Sequence, residues 1–257
     1  MTYSMPVTQR LRKLVKSLYQ KQYREQNGLF VAEGEKLVEE LLNSDNALEL
    51  VVLRESPTQA ALEILERISE RPVPVYNAPK HVFDQMCDTK TPQCILALSA
   101  VKESIIMPDE PFIALDGVAD PGNVGTIIRT ADWFGIKQVI LNKNCADKYN
   151  PKVVRSTMGS IFKIEVIETV DLYETLNTNF KKHKIYGATL DGKKSIDQVK
   201  FAKKFGLLFG NEARGLSENL LQLLNETYKI EGYGNAESLN VSVAAGISMF
   251  HFAKGLK

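Results

Sequence analysis

From residue 112 onward, short apolar runs alternate with segments of helical periodicity, and this alternation limits the fold more than any other feature of the chain. The runs are FIAL (112–115), QVIL (138–141), KIEVI (163–167), KIYGATL (184–190) and FGLLFG (205–210). Most are apolar at consecutive positions, as strands buried on both faces are. Between them lie PGNVGTIIRTADWFG from Pro121, PKVVRSTMGS from Pro151, DLYETLNTNFKKH from Asp171 and SENLLQLLN from Ser217. Pro121 suits a first helical position and Asp171 an N-cap. Strands alternating with helices predict an α/β unit, a parallel sheet with helices on both faces. Before residue 102 the same alternation is weaker: a strand at Phe30–Ala32, a helix carrying Leu37, Val38, Leu41 and Leu42, then LELVVL, TQAALEILERISE, VPVYNA, PKHVFDQMCD and CILALSAV. The segment KESIIMPDEP, with two prolines and mixed charge, reads as a linker. The boundary falls near Pro108, giving a smaller α/β domain over 1–107 and a larger one over 108–257.

In open parallel sheets, ligands gather beyond the carboxyl ends of the strands. Three such ends combine glycine with polar side chains: DGVADPGNVGTIIRT after FIAL, NEARGLS after GLLFG, and EGYGNAESLNVS after YKI. One glycine-rich turn means little, but three expected along one sheet edge point to a site. GxGxxG and GxxxxGK[ST] are both missing from the strand ends, which disfavours dinucleotide and P-loop enzymes. HExxH does not occur, and His81, His183 and His251 are far apart, so no metal is expected. MGSIF breaks the hydrolase GxSxG pattern.

The stretches DPGNVGTIIRTADWFG, LLFGNEARGLS and ESLNVSVAAGISMFHFA resemble motifs 1, 2 and 3 of the SpoU/TrmH class of SPOUT RNA ribose 2′-O-methyltransferases, in order and at matching spacing. FVAEGEKLVEELL and TPQCILALSA are similar, less specifically, to the L30e-like substrate-binding domain that often precedes that catalytic domain. The resemblance implies a trefoil-knotted α/β domain that binds S-adenosylmethionine, works as a homodimer and acts on structured RNA, with rRNA favoured over tRNA. It assigns Asn123 and Arg129 of motif 1, Glu212 of motif 2, and Ser238 and Asn240 of motif 3 to the catalytic centre. It assigns Thr189, Leu190, Leu208, Phe209, Gly210, Asn211, Ile230, Ser238 and Leu239 to the cofactor pocket. Without the family, Asn123 is a turn residue, Arg129 a surface cation, Glu212 a solvated loop acid, and Ser238 and Asn240 caps of the last helix. Family members often carry proline and methionine after the isoleucine preceding motif 3; here the chain reads Ile230-Glu231-Gly232-Tyr233-Gly234. That departure is the one feature favouring a non-catalytic RNA-binding protein of the same fold.

Net charge is +1, so contact with a polyanion requires a local patch. Arg10, Arg12, Lys13, Lys16, Lys21 and Arg24 supply one, with no acid among them, while Leu11, Leu14, Val15 and Leu18 recur at helical spacing on another face. These six cations are the candidate RNA-binding residues. Three scattered cysteines (Cys87, Cys94, Cys145) without a CxxC pair suit a reducing cytoplasm, and no apolar run is long enough for a membrane span.

Overall fold

The computed structural model describes residues 5–200 and 202–256. It divides into two compact units: 1–103 with 149–162, and 104–148 with 163–257. The segment 149–162 thus belongs to the first unit, although it follows the Pro108 boundary expected from the linker composition.

The first unit contains β1 (Met5–Pro6), α1 (Gln9–Ser17), α2 (Lys21–Asn27), β2 (Leu29–Glu33), α3 (Glu35–Leu42), β3 (Leu48–Arg54), α4 (Gln59–Ile68), β4 (Val75–Ala78), α5 (Lys80–Met86) and β5 (Ile95–Ala100). Its sheet runs β1-β4-β3-β5-β2, with β5 antiparallel to both β3 and β2. Thr8 caps α1 by accepting from the Leu11 amide at 3.1 Å. Leu11, Val15 and Leu18 drop into a core with Val52, Phe83, Met86 and Leu96. Each such burial contributes about 1.5–3 kcal/mol, so this apolar face holds α1 and leaves Arg10, Lys13 and Lys16 to solvent. The basic stretch is two helices rather than one, and Arg24 is a correction to its expected exposure. Arg24 is buried, and its Nη1 donates to the Leu18 carbonyl at 2.8 Å, satisfying a carbonyl where α1 ends.

The second unit follows with β6 (Phe112–Asp116), α6 (Pro121–Trp133) and β7 (Gln138–Asn142). The chain then passes through α7 (Pro151–Thr157), which is part of the first unit, where the Tyr149 ring stacks on Phe30 with centroids 4.3 Å apart. It returns as β8 (Glu165–Thr169), α8 (Leu172–Asn179), β9 (Lys184–Ala188), β10 (Lys194–Ser195), β11 (Phe205–Gly210), α9 (Glu218–Leu221), β12 (Glu226–Lys229) and α10 (Val241–Phe252). The sheet order is β10-β12-β9-β11-β6-β7-β8 and every pairing is parallel. Consecutive strand residues point to opposite faces. Ile185 of β9 joins a core with Leu172 and Leu176 of α8 and Leu220 of α9. Tyr186, the next residue, packs edge-on against Phe252 of α10. Helices therefore cover both faces, as the alternation predicts. Asp120 and Asp171 cap α6 and α8, each accepting a backbone amide at 3.0 Å.

His183 follows α8, buried beside Phe112 and Phe180. Its Nε2 lies 3.0 Å from the Glu110 carbonyl and its Nδ1 has no partner among the described residues. Burial, the largest influence, holds its pKa below the ordinary 6.5. The folded state therefore favours neutral imidazole, and the stability this lends is complete above about pH 6.5. It is lost as pH falls through the lowered folded value. Thermal midpoints measured from pH 7.5 down to 5 are expected to fall more steeply for the wild type than for His183→Gln.

Candidate active site

The strand order reverses at β6. From there β7 and β8 extend one way, and β11, β9 and β12 the other. Such a switch point leaves a crevice outside the strand ends. All strands being parallel, the loops after β6, β9, β11 and β12 leave one edge, and these are the segments holding the three motif-like stretches and Thr189. Asp116, the last residue of β6, binds this edge together. One carboxylate oxygen accepts from the Ser217 amide at 2.8 Å, and the other accepts a short hydrogen bond from the Asn142 side chain at the end of β7. Asn142 Oδ1 in turn accepts from the Gly117 amide at 3.1 Å.

Asn123 occupies the first turn of α6, and its side chain is where the three loops meet. Its Nδ2 donates to Glu212 Oε1 at 2.9 Å, and its Oδ1 accepts from Asn240 Nδ2 at 3.0 Å. One amide thus bridges the loops after β6, β11 and β12. Asn240 is also the N-cap of α10, its Oδ1 accepting from the backbone amide of Ser242 at 2.9 Å and from Ser242 Oγ at 2.6 Å. Of the two polar residues flanking Leu239, Asn240 alone caps the helix. Ser238 is exposed and makes no hydrogen bond among the described residues.

Asn211 shapes the Glu212 loop. Its Oδ1 accepts from the amides of Ala213 and Arg214 at 3.0 and 3.2 Å, and its Nδ2 donates to the Gly117 carbonyl at 2.9 Å. Its backbone exchanges hydrogen bonds with Gly215. With its amide committed to these partners, Asn211 sets the shape of the loop that carries Glu212.

Arg129 is exposed on α6 and takes no part in the Glu212–Asn123–Asn240 chain. It lies six positions beyond Asn123, about 9 Å along the helix axis, and it carries no hydrogen bond or ion pair among the described residues. Among the cofactor candidates, Leu208 and Phe209 are buried, and both pair within the sheet, Leu208 with Gly187 and Ala114 and Phe209 with Leu115. Thr189 and Ile230 are half-buried at the ends of β9 and β12, and the Thr189 amide donates to the Tyr228 carbonyl at 2.9 Å. Leu190 and Leu239 are 75% and 47% exposed. Gly210 is pressed against the backbone of Gly215 and Leu216. Asp116, Asn142 and Ser242 were not among the expected site residues. An acid closing the apolar run FIAL is the signal that marks Asp116. No group of three or more His, Cys, Asp or Glu side chains able to hold a metal occurs among the described residues.

A parallel α/β sheet with polar loops converging at its switch point defines a class of ligand-binding and group-transfer domains. Within that class, the chain belongs to the SpoU rRNA methylase family, whose model matches residues 110–250. The model of an MRM3-like substrate binding domain matches residues 11–97. The chain is 33% identical to the 23S rRNA (guanosine(2553)-2′-O)-methyltransferase RlmP of Bacillus subtilis, over 92% of this chain and 93% of that protein. The crystal structure of an AdoMet-bound rRNA methyltransferase from Sinorhizobium meliloti superimposes with a TM-score of 0.85 at 29% identity, covering 98% of this chain and 97% of that one. The SpoU methyltransferase AviRb of Streptomyces viridochromogenes shares the fold, with a TM-score of 0.85 at 22% identity over 97% of this chain and 98% of that one.

Proposed function

We propose that this protein transfers a methyl group from S-adenosylmethionine to a ribose 2′-hydroxyl of ribosomal RNA. The observation that carries this reading is the Glu212–Asn123–Asn240 chain, which joins the three motif loops at the switch point. Support for rRNA comes from the relative of B. subtilis, whose name states that reaction.

The residues at the strand ends fit the cofactor. Leu190 and Leu239 offer exposed apolar surface for a flat heterocycle, beside half-buried Thr189 and Ile230 and the backbone of Leu208, Phe209 and Gly210. The bound cofactor supplies a methyl group on a positively charged sulfur. The protein must position the ribose oxygen and take up its proton. A ribose hydroxyl is a weak nucleophile, so proton removal and alignment both lower the barrier. Asn123 holds the three loops in register. Ser238, with a free exposed hydroxyl, is available to the ribose or the cofactor. The guanidinium of Arg129 offers a fork of N–H donors, which suits it to bind a substrate phosphate and stabilise negative charge growing on the attacking oxygen.

Homodimerisation through the methyltransferase unit draws support from α10. Val243, Ile247 and Phe250 recur at i, i+4 and i+7 and are 49%, 37% and 57% exposed, an apolar stripe suited to a second copy. The same family reading carries the trefoil knot, supported by neighbouring strand ends β12, β9, β11 and β6 whose loops share one edge, and a cytoplasmic location, where an rRNA substrate resides.

In the first unit, Arg10, Lys13 and Lys16 are exposed on α1 and Arg12 is half-buried, its Nη2 donating to Gln85 Oε1 at 2.9 Å. Arg12, Lys13 and Lys16 line an open groove of about 230 Å³ with Gln9, Gln85 and Met86. Lys21 lies 3.8 Å from Glu25, which partly neutralises it. The Lys13→Glu/Lys16→Glu variant is expected to weaken rRNA binding about tenfold or more and to lower the slope of log affinity against log salt by about 2. An unchanged slope in filter-binding titrations removes this groove from the RNA interface.

The function itself is tested by incubating the protein with labelled S-adenosylmethionine and total RNA, then mapping 2′-O-methylated positions. Label on a 23S ribose is the expected result. Label on tRNA corrects the substrate, label on a base or on protein overturns the reaction, and RNA binding without transfer marks a non-catalytic RNA-binding protein.

A further inference from the structure

We propose that Ser242 is a positioning residue that sets the direction of the amide chain at the active site. The proposal rests on the methyltransferase reading for its kinetic consequences, while its geometry stands alone. Ser242 lies in the first turn of α10 and delivers two donors, its backbone N–H at 2.9 Å and its hydroxyl at 2.6 Å, to one atom, Asn240 Oδ1. An asparagine amide has nearly the same shape in either orientation, but its two ends differ in kind: one only accepts and the other only donates. With Oδ1 held by Ser242, Asn240 can turn only Nδ2 toward Asn123, and it does so at 3.0 Å. Asn123 must therefore present Oδ1 to Asn240, which turns its Nδ2 to Glu212 Oε1 at 2.9 Å.

The far end agrees with the near one. Glu212 presents the acceptor Oε1 to Asn123 Nδ2 at 2.9 Å, the same orientation of Asn123 that Ser242 imposes through Asn240. The chain runs one way, from Ser242 through Asn240 and Asn123 to Glu212, with no donor facing a donor. Asn123, Asn240 and Glu212 are half-buried or exposed, open to solvent that competes for each amide. The hydroxyl of Ser242 is the contact that doubles the hold on Asn240 Oδ1. Without it, the backbone amide still caps the helix, but one donor has to fix the amide against water and rotation.

The test separates positioning from simple helix capping. Ser242→Ala is expected to lower kcat about fivefold to tenfold, leaving KM for rRNA, the affinity for S-adenosylmethionine and the thermal midpoint nearly unchanged. Ser242→Thr, which keeps the hydroxyl, is expected to restore kcat to within about twofold. In an Asn240→Ala background, Ser242→Ala is expected to have no further effect, since the residue through which it acts is gone. A kcat for Ser242→Ala within twofold of wild type, or an undiminished loss in the Asn240→Ala background, overturns the proposal. A second readout does not depend on turnover: the side-chain NH2 resonances of Asn123 and Asn240 are expected to exchange slowly in the wild type and faster in Ser242→Ala. A wild type that methylates no RNA but shows this pattern refutes the methyltransferase reading and leaves the positioning role standing. Equal exchange in the two proteins refutes the positioning role itself.

Discussion

Asn123→Asp is expected to reduce methyl transfer by about 10²–10³-fold, the range seen when one preorganised donor is removed from an active site. The substitution changes almost no volume. It replaces Nδ2, the donor that reaches Glu212 Oε1 at 2.9 Å, with a second carboxylate oxygen. Two unit charges at that separation repel by about 1.4 kcal/mol even at the dielectric constant of water, and more where the loops exclude solvent. The contact with Asn240 survives, because an aspartate oxygen still accepts from Asn240 Nδ2. The damage is therefore confined to the link between the loops after β6 and β11. Glu212 is then expected to swing to solvent and release that loop. Adding Glu212→Gln makes the link favourable again, since a glutamine amide donates to the carboxylate introduced on α6. Such a double variant should recover its thermal midpoint and cofactor affinity. Its turnover recovers only if Glu212 contributes geometry and not charge. Single-turnover rates and cofactor titrations on the Asn123→Asp, Glu212→Gln and double variants distinguish these outcomes, and near-normal turnover by Asn123→Asp alone would falsify a working role for the link.

Much of the second unit is legible in the sequence because its strands are apolar at successive positions and its helices begin at recognisable caps. FIAL, QVIL and FGLLFG could only be buried on two faces, and Asp120 and Asp171 stand where an N-cap carboxylate is needed. The first unit was less legible. CILALSAV is equally apolar on both faces, and that pattern does not record whether a strand runs parallel or antiparallel to its neighbours, so the reversed direction of β5 could not be read. The helical pattern of PKVVRSTMGS was clear, but periodicity does not say which core receives a helix. Its attachment to the first unit depends on contacts far apart in sequence, such as Tyr149 on Phe30 and Arg155 on Asp88 at 2.8 Å.

At the site, the residue types were legible and their connections were not. Asn123, Glu212 and Asn240 were expected together from the family resemblance, but only the sheet order brings residues 123, 212 and 240 side by side. Arg24 illustrates the opposite error. A cation in a basic run reads as a surface charge, yet the chain turns after Leu18 and leaves a carbonyl for its guanidinium to satisfy. Long side chains with several donors serve a helix end as readily as a phosphate, and composition does not separate the two uses.

Gly210→Ala is the second large effect expected. A Cβ at this position would lie 2.2 Å from the carbonyl carbon of Gly215 and 2.4 Å from the amide nitrogen of Leu216. Both are backbone atoms, so no rotamer change relieves the overlap. Relief requires opening the 211–215 turn, whose ends are joined by reciprocal Asn211–Gly215 hydrogen bonds. That turn carries Glu212 and is tied to β6 through Asn211 Nδ2 on the Gly117 carbonyl. Overpacking against mobile side chains costs about 1–3 kcal/mol, and a clash against fixed backbone is expected at or above the top of that range. Gly215→Ala provides the control within the same turn. Its φ is +70°, a conformation costing a non-glycine residue about 1–2 kcal/mol, but nothing lies within 4 Å of the position its Cβ would take. Gly215→Ala should therefore lower the denaturation midpoint modestly and retain transfer. Gly210→Ala should displace the Glu212 loop, abolish detectable transfer and weaken cofactor binding at least tenfold. Equal effects of the two substitutions would mean that backbone conformation at the turn, and not the close approach of β11 to Gly215, governs the loop.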